Sequence, residues 1–371
     1  LGVFEAGYQF SNLDHTGDFF YERRSDFNNN FELVPEFSSE VNLKRSIHAF
    51  YSQFEGERGK WDYIAGTRIE IADRILELKD KANTIDETYK FGFTKLYPSA
   101  SLQYRINDNT NIKAAYSKRV ERTSTFKMNP FPEREHSETL EQGDPELKPE
   151  FADLAELSIN RKTKRGNSVF VTGYYRSVKN VVNRVNTIYN DTILNRIYSN
   201  VGDAKAIGLE LGAYLKPTEN WSNFIGINIY DYKIVGEFEN RQFNTNAMVY
   251  SINLNSTYSF WEKASLQFTF NYLSERITAQ GQDSRFYSPN ITFQKTFLDN
   301  RLTINLQWQN IDLGILNSNE QKITTYSPNK FFTTTNYIYE VDMLLLNLSY
   351  TFKNGKNKSK FIESEFGKRE F

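Results

Sequence analysis

The sequence predicts an all-β fold, an antiparallel up-and-down barrel whose strands cross a membrane. Three observations predict it. Apolar residues recur at every second position in segment after segment. The breaks between segments alternate between short turns and long polar connections. And a polar chain carries a heavy load of aromatic rings: its 371 residues hold 30 Phe and 23 Tyr, while mean hydropathy is −0.62. Disordered chains are polar too, but they are poor in rings. A barrel with lipid outside and a wet lumen inside uses many rings and stays hydrophilic on average.

The alternation defines the elements. Ile207, Leu209, Leu211, Ala213 and Leu215 fall on one face, with Gly208, Glu210, Gly212 and Tyr214 on the other. Leu266, Phe268, Phe270 and Tyr272 alternate with Gln267, Thr269 and Asn271, and Leu302, Ile304, Leu306 and Trp308 with Thr303, Asn305, Gln307 and Gln309. Leu344, Leu346, Leu348, Tyr350 and Phe352 line one side near the end. Period-2 patterning of this kind is that of strands with one apolar and one polar face. About fourteen strands are expected, near 2–11, 42–55, 60–72, 92–106, 110–120, 151–163, 167–177, 204–216, 221–233, 246–260, 264–273, 287–297, 302–311 and 341–352. The charged stretch from Arg74 to Ala82 fits a loop better than a strand.

Short turns fall at Gly56–Gly59, Asn107–Asn109, Lys164–Asn167, Pro217–Asn220, Trp261–Lys263 and Asp299–Arg301. Long connections are expected near 12–41, 73–91, 121–150, 178–203, 234–245, 274–286 and 312–340. In a meander, successive connections lie at opposite ends, so one rim carries turns and the other loops, the layout of an outer-membrane barrel with periplasmic turns and extracellular loops. Trp61, Tyr97, Trp221, Tyr258 and Trp261, near strand ends, suit interfacial girdles. Soluble β-sandwiches also use alternating strands, but strands of five or six residues are usual there. Residues 1–352 therefore read as one transmembrane barrel and 353–371 as a polar periplasmic tail. Leu1 reads as a processed or truncated start, being neither an initiator Met nor part of a signal peptide.

Composition excludes other classes. Lys plus Arg number 45 against 46 Asp plus Glu, so no global field favours nucleic acid. Without Cys there is no disulfide framework or thiolate metal site. Only His15, His48 and His136 carry imidazoles. No apolar run is long enough for a transmembrane helix. His48 lies on the side of Ser46 and Ser52, opposite Ile47, Ala49 and Tyr51, and reads as an inward, solvated residue rather than a catalytic base. Glu133-Arg134-Glu135-His136-Ser137-Glu138 could hold a cation, but reads as a solvated loop. Phosphate loops and zinc spacings are absent. No catalytic residue, cofactor site, metal site or nucleic-acid partner is expected, and no substrate-binding residue is singled out.

Several marks stand in an order that resembles the C-terminal barrel of TonB-dependent outer-membrane receptors, in the receptor-like outer-membrane β-barrel subgroup. They are Leu96-Tyr97-Pro98-Ser99 opening a strand to Tyr104-Arg105-Ile106, then Tyr116-Ser117-Lys118-Arg119, and a loop with Asn129-Pro130-Phe131. That loop ends in Gly143-Asp144-Pro145-Glu146-Leu147-Lys148-Pro149-Glu150, similar to the family's entry into a strand. Asn200-Val201-Gly202 and Gly208-Leu209-Glu210-Leu211, then Asn310-Ile311-Asp312 and Leu348-Ser349-Tyr350-Thr351-Phe352, complete the series. The prolines and glycines read as architectural: Pro145 and Pro149 cannot donate ladder bonds and belong before a strand, and Gly202 and Gly208 allow a close approach or bulge. Here the alternation stops at Phe352, and the final Phe371 lacks it.

The resemblance implies a 22-stranded barrel of which this chain is the C-terminal part. It also implies an N-terminal plug and a TonB energising complex acting on it, neither in this sequence, and import of a scarce nutrient across the outer membrane of a Gram-negative bacterium. Metal chelates, glycans, peptides and cobalamin are all carried by similar barrels. Two alternatives stay open: a passive porin of about 14 strands, and a structural or secretion-associated barrel that binds a protein partner such as a surface lipoprotein or secretion component.

Overall fold

The computed structural model describes residues 2–25, 30–136, 139–163, 166–190, 193–314 and 320–352. Fourteen long strands follow one another in a single antiparallel path. We number them β1 (Gly2–Phe19), β2 (Ser39–Arg58), β3 (Trp61–Asp80), β4 (Asp86–Asn107), β5 (Thr110–Glu121), β6 (Glu150–Lys162), β7 (Ser168–Asn190), β8 (Ile193–Thr218), β9 (Trp221–Phe238), β10 (Arg241–Phe260), β11 (Ala264–Leu273), β12 (Phe286–Phe297), β13 (Leu302–Gln309) and β14 (Met343–Tyr350). Each pairs with its neighbours in sequence. Among the described residues β1 pairs only with β2 and β14 only with β13.

The register puts like residues in one row. Phe10, His48 and Ile71 share a row, as do Tyr8, Phe50 and Ile69, and Leu209 with Ile229 and Tyr250. This face carries the exposed apolar side chains, Ile207, Leu266 and Leu346 among them, and is the lipid face. The opposite face is polar. In the C-terminal half Asn253 lies opposite Asn271, Thr269 opposite Asn290, Thr292 opposite Gln307 and Asn305 opposite Asn347. Gln267 donates to Asn255 at 3.0 Å and Asn290 to Thr269 at 3.2 Å across that wall. A water-facing wall satisfies such amides, whereas the hydrocarbon would leave them unpaired at several kcal/mol each.

On β3 the apolar rows run from Trp61 to Ile71, after which Asp73, Glu77 and Lys79 occupy the same face. That span matches the roughly 9–11 residues a tilted strand needs to cross the hydrocarbon. The strands continue well past it. At about 3.3 Å per residue, β8, with its 26 residues, is far longer than the band requires. The segments expected as loops at 73–91, 178–203 and 234–245 are therefore mostly strand. Arg74 to Asp80, expected in a loop, completes β3, and Glu239-Asn240 closes β9–β10 as a tight turn with both φ values positive, 51° and 61°. Above the band the contrast inverts: on β3 the inner face, with Ala72, Leu76 and Leu78, is buried and the outer face turns polar, so a charged stretch there still pairs as strand.

Two of the remaining long connections build caps at that rim. Residues 122–149 hold a helical turn, Thr125–Met128, and the strand Thr139–Gln142, which adds in parallel to β8 at Leu194–Ile197. The strands Arg276–Ile277, Gly281–Asp283, Glu320–Ser327 and Phe331–Ile338 form a separate four-stranded sheet. The expected tail at 353–371 lies outside the described residues.

Candidate functional site

The cap at 122–149 sits on the polar face because its apolar residues meet the upper strands. Met128, Phe131 and Leu147 pack with Val41, Leu43, Leu76 and Leu78 in one dry cluster, each no more than 3% exposed. Arg74, itself buried, reaches into the cap from β3. Its guanidinium donates to the carbonyls of Leu147 (3.0 Å) and Pro145 (3.1 Å) and to the Thr123 hydroxyl (3.3 Å), and lies 5.2 Å from the centre of the Phe91 ring. Burial is the main reason its pKa falls from the ordinary arginine value, with Arg45 adding to the fall and Asp144 opposing it.

The marks quoted from the sequence meet here, although some fifty residues separate them. The Asn200 side chain accepts the Lys148 N–H (2.8 Å) and donates to the Lys148 carbonyl (3.0 Å) and the Asn180 carbonyl (2.7 Å). Asn180 donates to the Pro149 carbonyl at 3.2 Å, and the Glu150 carboxylate accepts the Val182 N–H at 2.6 Å. Gly202, at φ +147°, leaves no room for a side chain: a Cβ there would lie 2.2 Å from the Val235 carbonyl oxygen. The motif thus ties the returning end of the cap to β7–β8, in keeping with an architectural reading of these residues.

Below the cap Glu70, 4% exposed, is held between Arg68 (2.7 Å) and Arg122, and Arg68 also donates to Gln9 at 2.9 Å. Tyr97 is buried beside this group rather than standing in the lipid girdle expected of it, because its register partner is Arg68 on the polar face. Trp61, Trp221, Tyr258 and Trp261 are exposed, as girdle residues should be. His48 moves the other way. It lies on the lipid face, not inward, where its ring accepts or donates to the Tyr8 hydroxyl at 2.7 Å and packs 4.8 Å from Phe10. A strand with apolar residues on both sides, Ile47 and Ala49 against Phe50 and Phe54, gave no clear sense of direction.

Two recesses open toward the lumen and the rim. One, of about 270 Å³, is walled by Tyr174, Arg176, Asn228, Tyr230 and Tyr232, with Glu150 above. Small residues on β8 make the room: Ala204, Ala206 and Gly208 face the rings, and a Cβ at Gly208 would lie 2.6 Å from the Tyr174 hydroxyl. Tyr174 donates to Asn228 at 3.0 Å. Among the described residues the Arg176 guanidinium has no ion-pair partner, and Lys205 also borders the recess beside the three phenol rings. The other, of about 650 Å³, lies between the β9–β10 tip and the small sheet, with Phe238, Phe243, Tyr326 and Phe332 on its walls and the Lys330–Glu239 ion pair (2.8 Å) at its edge. Of these residues only Glu150 and Gly208 stand out in the sequence, as architectural marks and not as site residues. The period-2 spacing of Tyr230 and Tyr232, opposite the small residues of β8, was the available signal.

Among the described residues no cluster of His, Asp or Glu has the grouping of a metal site. Glu133 accepts the Asn129 side chain at 3.4 Å, and burial pushes its carboxyl up. The side chains of 134–138, the rest of the candidate cation loop, lie outside the described residues.

A long-stranded meander with a lipid face, a polar lumen and turns at one rim is the layout of an outer-membrane barrel, and over residues 2–350 the chain matches the outer membrane protein beta-barrel family. The chain belongs to that family. Its members are integral to the outer membrane of Gram-negative bacteria, and so is this barrel. Among curated proteins none matches it by sequence. Solved structures do so by fold. The siderophore receptor PiuA from Acinetobacter baumannii superposes with a TM-score of 0.64 at 12% identity, covering 94% of this chain and 53% of its own. The ferric-catecholate import receptor Fiu from E. coli K12 gives 0.59 at 12% identity, 94% and 51%. The copper transporter OprC gives 0.60 at 12% identity, 90% and 52%. The barrel thus shares the fold of receptors and transporters and spans about half the length of those it matches.

Proposed function

We propose that this barrel is the C-terminal part of a TonB-dependent receptor that binds a scarce nutrient at its long-connection rim and imports it through the lumen, without chemistry of its own. The observation that carries the reading is the pair of unfilled edges. β1 and β14 each present a row of backbone N–H and C=O groups on one side, and a sheet edge left open in hydrocarbon is not tolerated. About eight further strands between those edges make the 22-stranded barrel, a plug fills its lumen, and the TonB complex supplies energy from the inner membrane. The resemblance to receptors of about twice this length supports the same reading. Long connections then face outside the cell, and the rim crevice and the tyrosine recess lie on the nutrient's path.

Uptake by cells expressing the complete receptor, with labelled ferric siderophores and copper as first probes, tests it. Uptake that stops when a protonophore collapses the proton gradient supports the reading. Uptake that continues unchanged points to a passive porin. Absence of uptake together with stable co-purification of a surface lipoprotein or secretion component points to a partner-bound barrel.

A further inference from the structure

A recess of about 430 Å³ opens on the lipid face, not into the lumen. Its floor is Met248, 60% exposed, with Tyr250 and Tyr272, whose rings stack at 5.6 Å and 20°. Tyr250 shares a row with Ile229 and Leu209, so the floor continues the apolar band. Toward the turn rim the same face of β10 runs on as Ile252 and Leu254; toward the long-connection rim it turns to Asn246 and Asn244. The floor therefore lies where the band ends.

An overhang of mixed charge covers it. Residues 274–285 and the strand Glu320–Ser327 bring Arg276, Arg285 and Lys322 to the recess, against Glu275 and Glu320. Arg276 is bound to Asp283 at 2.8 Å and Lys322 lies 3.6 Å from Glu320. Arg285 has no carboxylate partner among the described residues. Beside the recess Lys205 and Lys233 stand directly opposite each other across β8–β9, and Lys233 is opposite Asn246, two residues from Met248. Asp203 and Asp231 share that face as diagonal neighbours of the lysines, Asp231 stands directly opposite Met248, and Asp203 accepts the Asn180 N–H at 3.1 Å. Like charges directly opposite on a sheet destabilise it, and the two aspartates offset part of that repulsion.

An apolar floor at the limit of the band, with the Arg285 guanidinium left over above it once Arg276 and Lys322 are matched to carboxylates, suits an occupant with an apolar chain and an anionic head. We propose that this recess binds a phosphate-bearing acylated lipid of the surrounding leaflet, with an acyl chain on Met248 and the two tyrosines and the phosphate on Arg285, Lys322 and Arg276. Basic pockets on membrane proteins hold lipid head groups in this way, and guanidinium forks suit phosphate oxygens.

The complete receptor, purified in detergent, is mixed with lipid A, dephosphorylated lipid A or inorganic phosphate, and adducts are read by native mass spectrometry. Lipid A is expected to remain bound, with dephosphorylated lipid A retained about ten-fold less and excess inorganic phosphate unable to displace it. The double variant Arg285→Ala, Lys322→Ala is expected to lower lipid A occupancy by a similar about ten-fold factor, with heat-modifiable gel mobility unchanged. Equal retention of the two lipids overturns the proposal, as does displacement by phosphate alone or full occupancy in a folded double variant. The lipid comparison needs no variant, and binding in detergent does not depend on which nutrient the receptor carries.

Discussion

The two caps close the same rim by different physics. The cap at 122–149 is dry: Met128, Phe131 and Leu147 share a cluster with four strand residues, and one arginine secures the returning backbone. The cap built from 276–338 is held by amides and hydroxyls. Gln280 exchanges two bonds with the Asn186 backbone, at 2.6 and 2.9 Å, and the Asn186 side chain donates to Thr325 at 2.7 Å. The dry cap excludes water from its contact with the strands. The polar cap makes bonds that water can replace once it enters, so its opening costs less. A mouth built this way has one side that opens at greater cost than the other.

That contrast can be broken most severely at the joint between the dry cap and the sheet. Gly202→Ala drives a Cβ into the Val235 carbonyl, and the barrel is expected to fail in assembly, seen as loss of the heat-modifiable band. Leu147→Ala, at a site with no exposure, is expected to lower the opening free energy of the dry cap by about 2–5 kcal/mol, measured by hydrogen exchange at 122–149. Exchange in 276–338 should stay as it was; an equal change in both caps would show that they open together. Gln280→Ala leaves the Asn186 backbone groups unpaired and is expected to cost about 1–3 kcal/mol, confined to the polar cap.

The smallest expected effect is on pH. Burial pushes the Asp80 carboxyl up, but hydrogen bonds from Ile85, the Thr84 hydroxyl and the Thr84 N–H outweigh it and hold the group below its ordinary value. Its contribution is therefore present above the ordinary Asp range and lost as pH falls through the lowered value. Asp144, inside the dry cap, is pushed up chiefly by burial, with the Glu146 N–H bond lowering it less. Its contribution has the opposite sign: present at low pH and lost as pH rises through the raised value. Mild acid should thus tighten 122–149 before stronger acid loosens the 81–85 turn, and Asp144→Asn should remove the first step while leaving the second.

Much of the fold could be read from the residues. All fourteen strands occur, because lipid on one side and water on the other stamp a period of two on Leu302–Trp308 or Leu266–Tyr272. The reading failed where that contrast is missing. Above the band Arg74, Leu76 and Leu78 are covered by a cap from a distant part of the chain, and a buried row written Arg-Ile-Leu-Glu-Leu resembles a loop. Tyr97 and His48 lie on the faces opposite to those their local sequence suggests, because a ring suits either an interface or a buried polar niche and only register decides. The recess of Tyr174, Tyr230 and Tyr232 needs three strands side by side, information carried by pairing and not by local sequence. Asn200 was visible as a motif, but its grip on Lys148 was not.

Pairing between neighbours in sequence has a consequence for how such a wall is made. Among the described residues every pairing in the main path is with the next strand in sequence. The longest delays are the connections at 122–149 and 310–342, and the entropy of closing a loop grows only slowly with its length. Each hairpin can be laid against the one before it, so growth is local in the sense that favours rapid folding. The caps are the exception, since Arg74 and Leu147 meet only after β6 has been added. The mouth is therefore finished later than the wall beneath it, and a defect in a cap should leave an inserted barrel with a faulty entrance rather than no barrel.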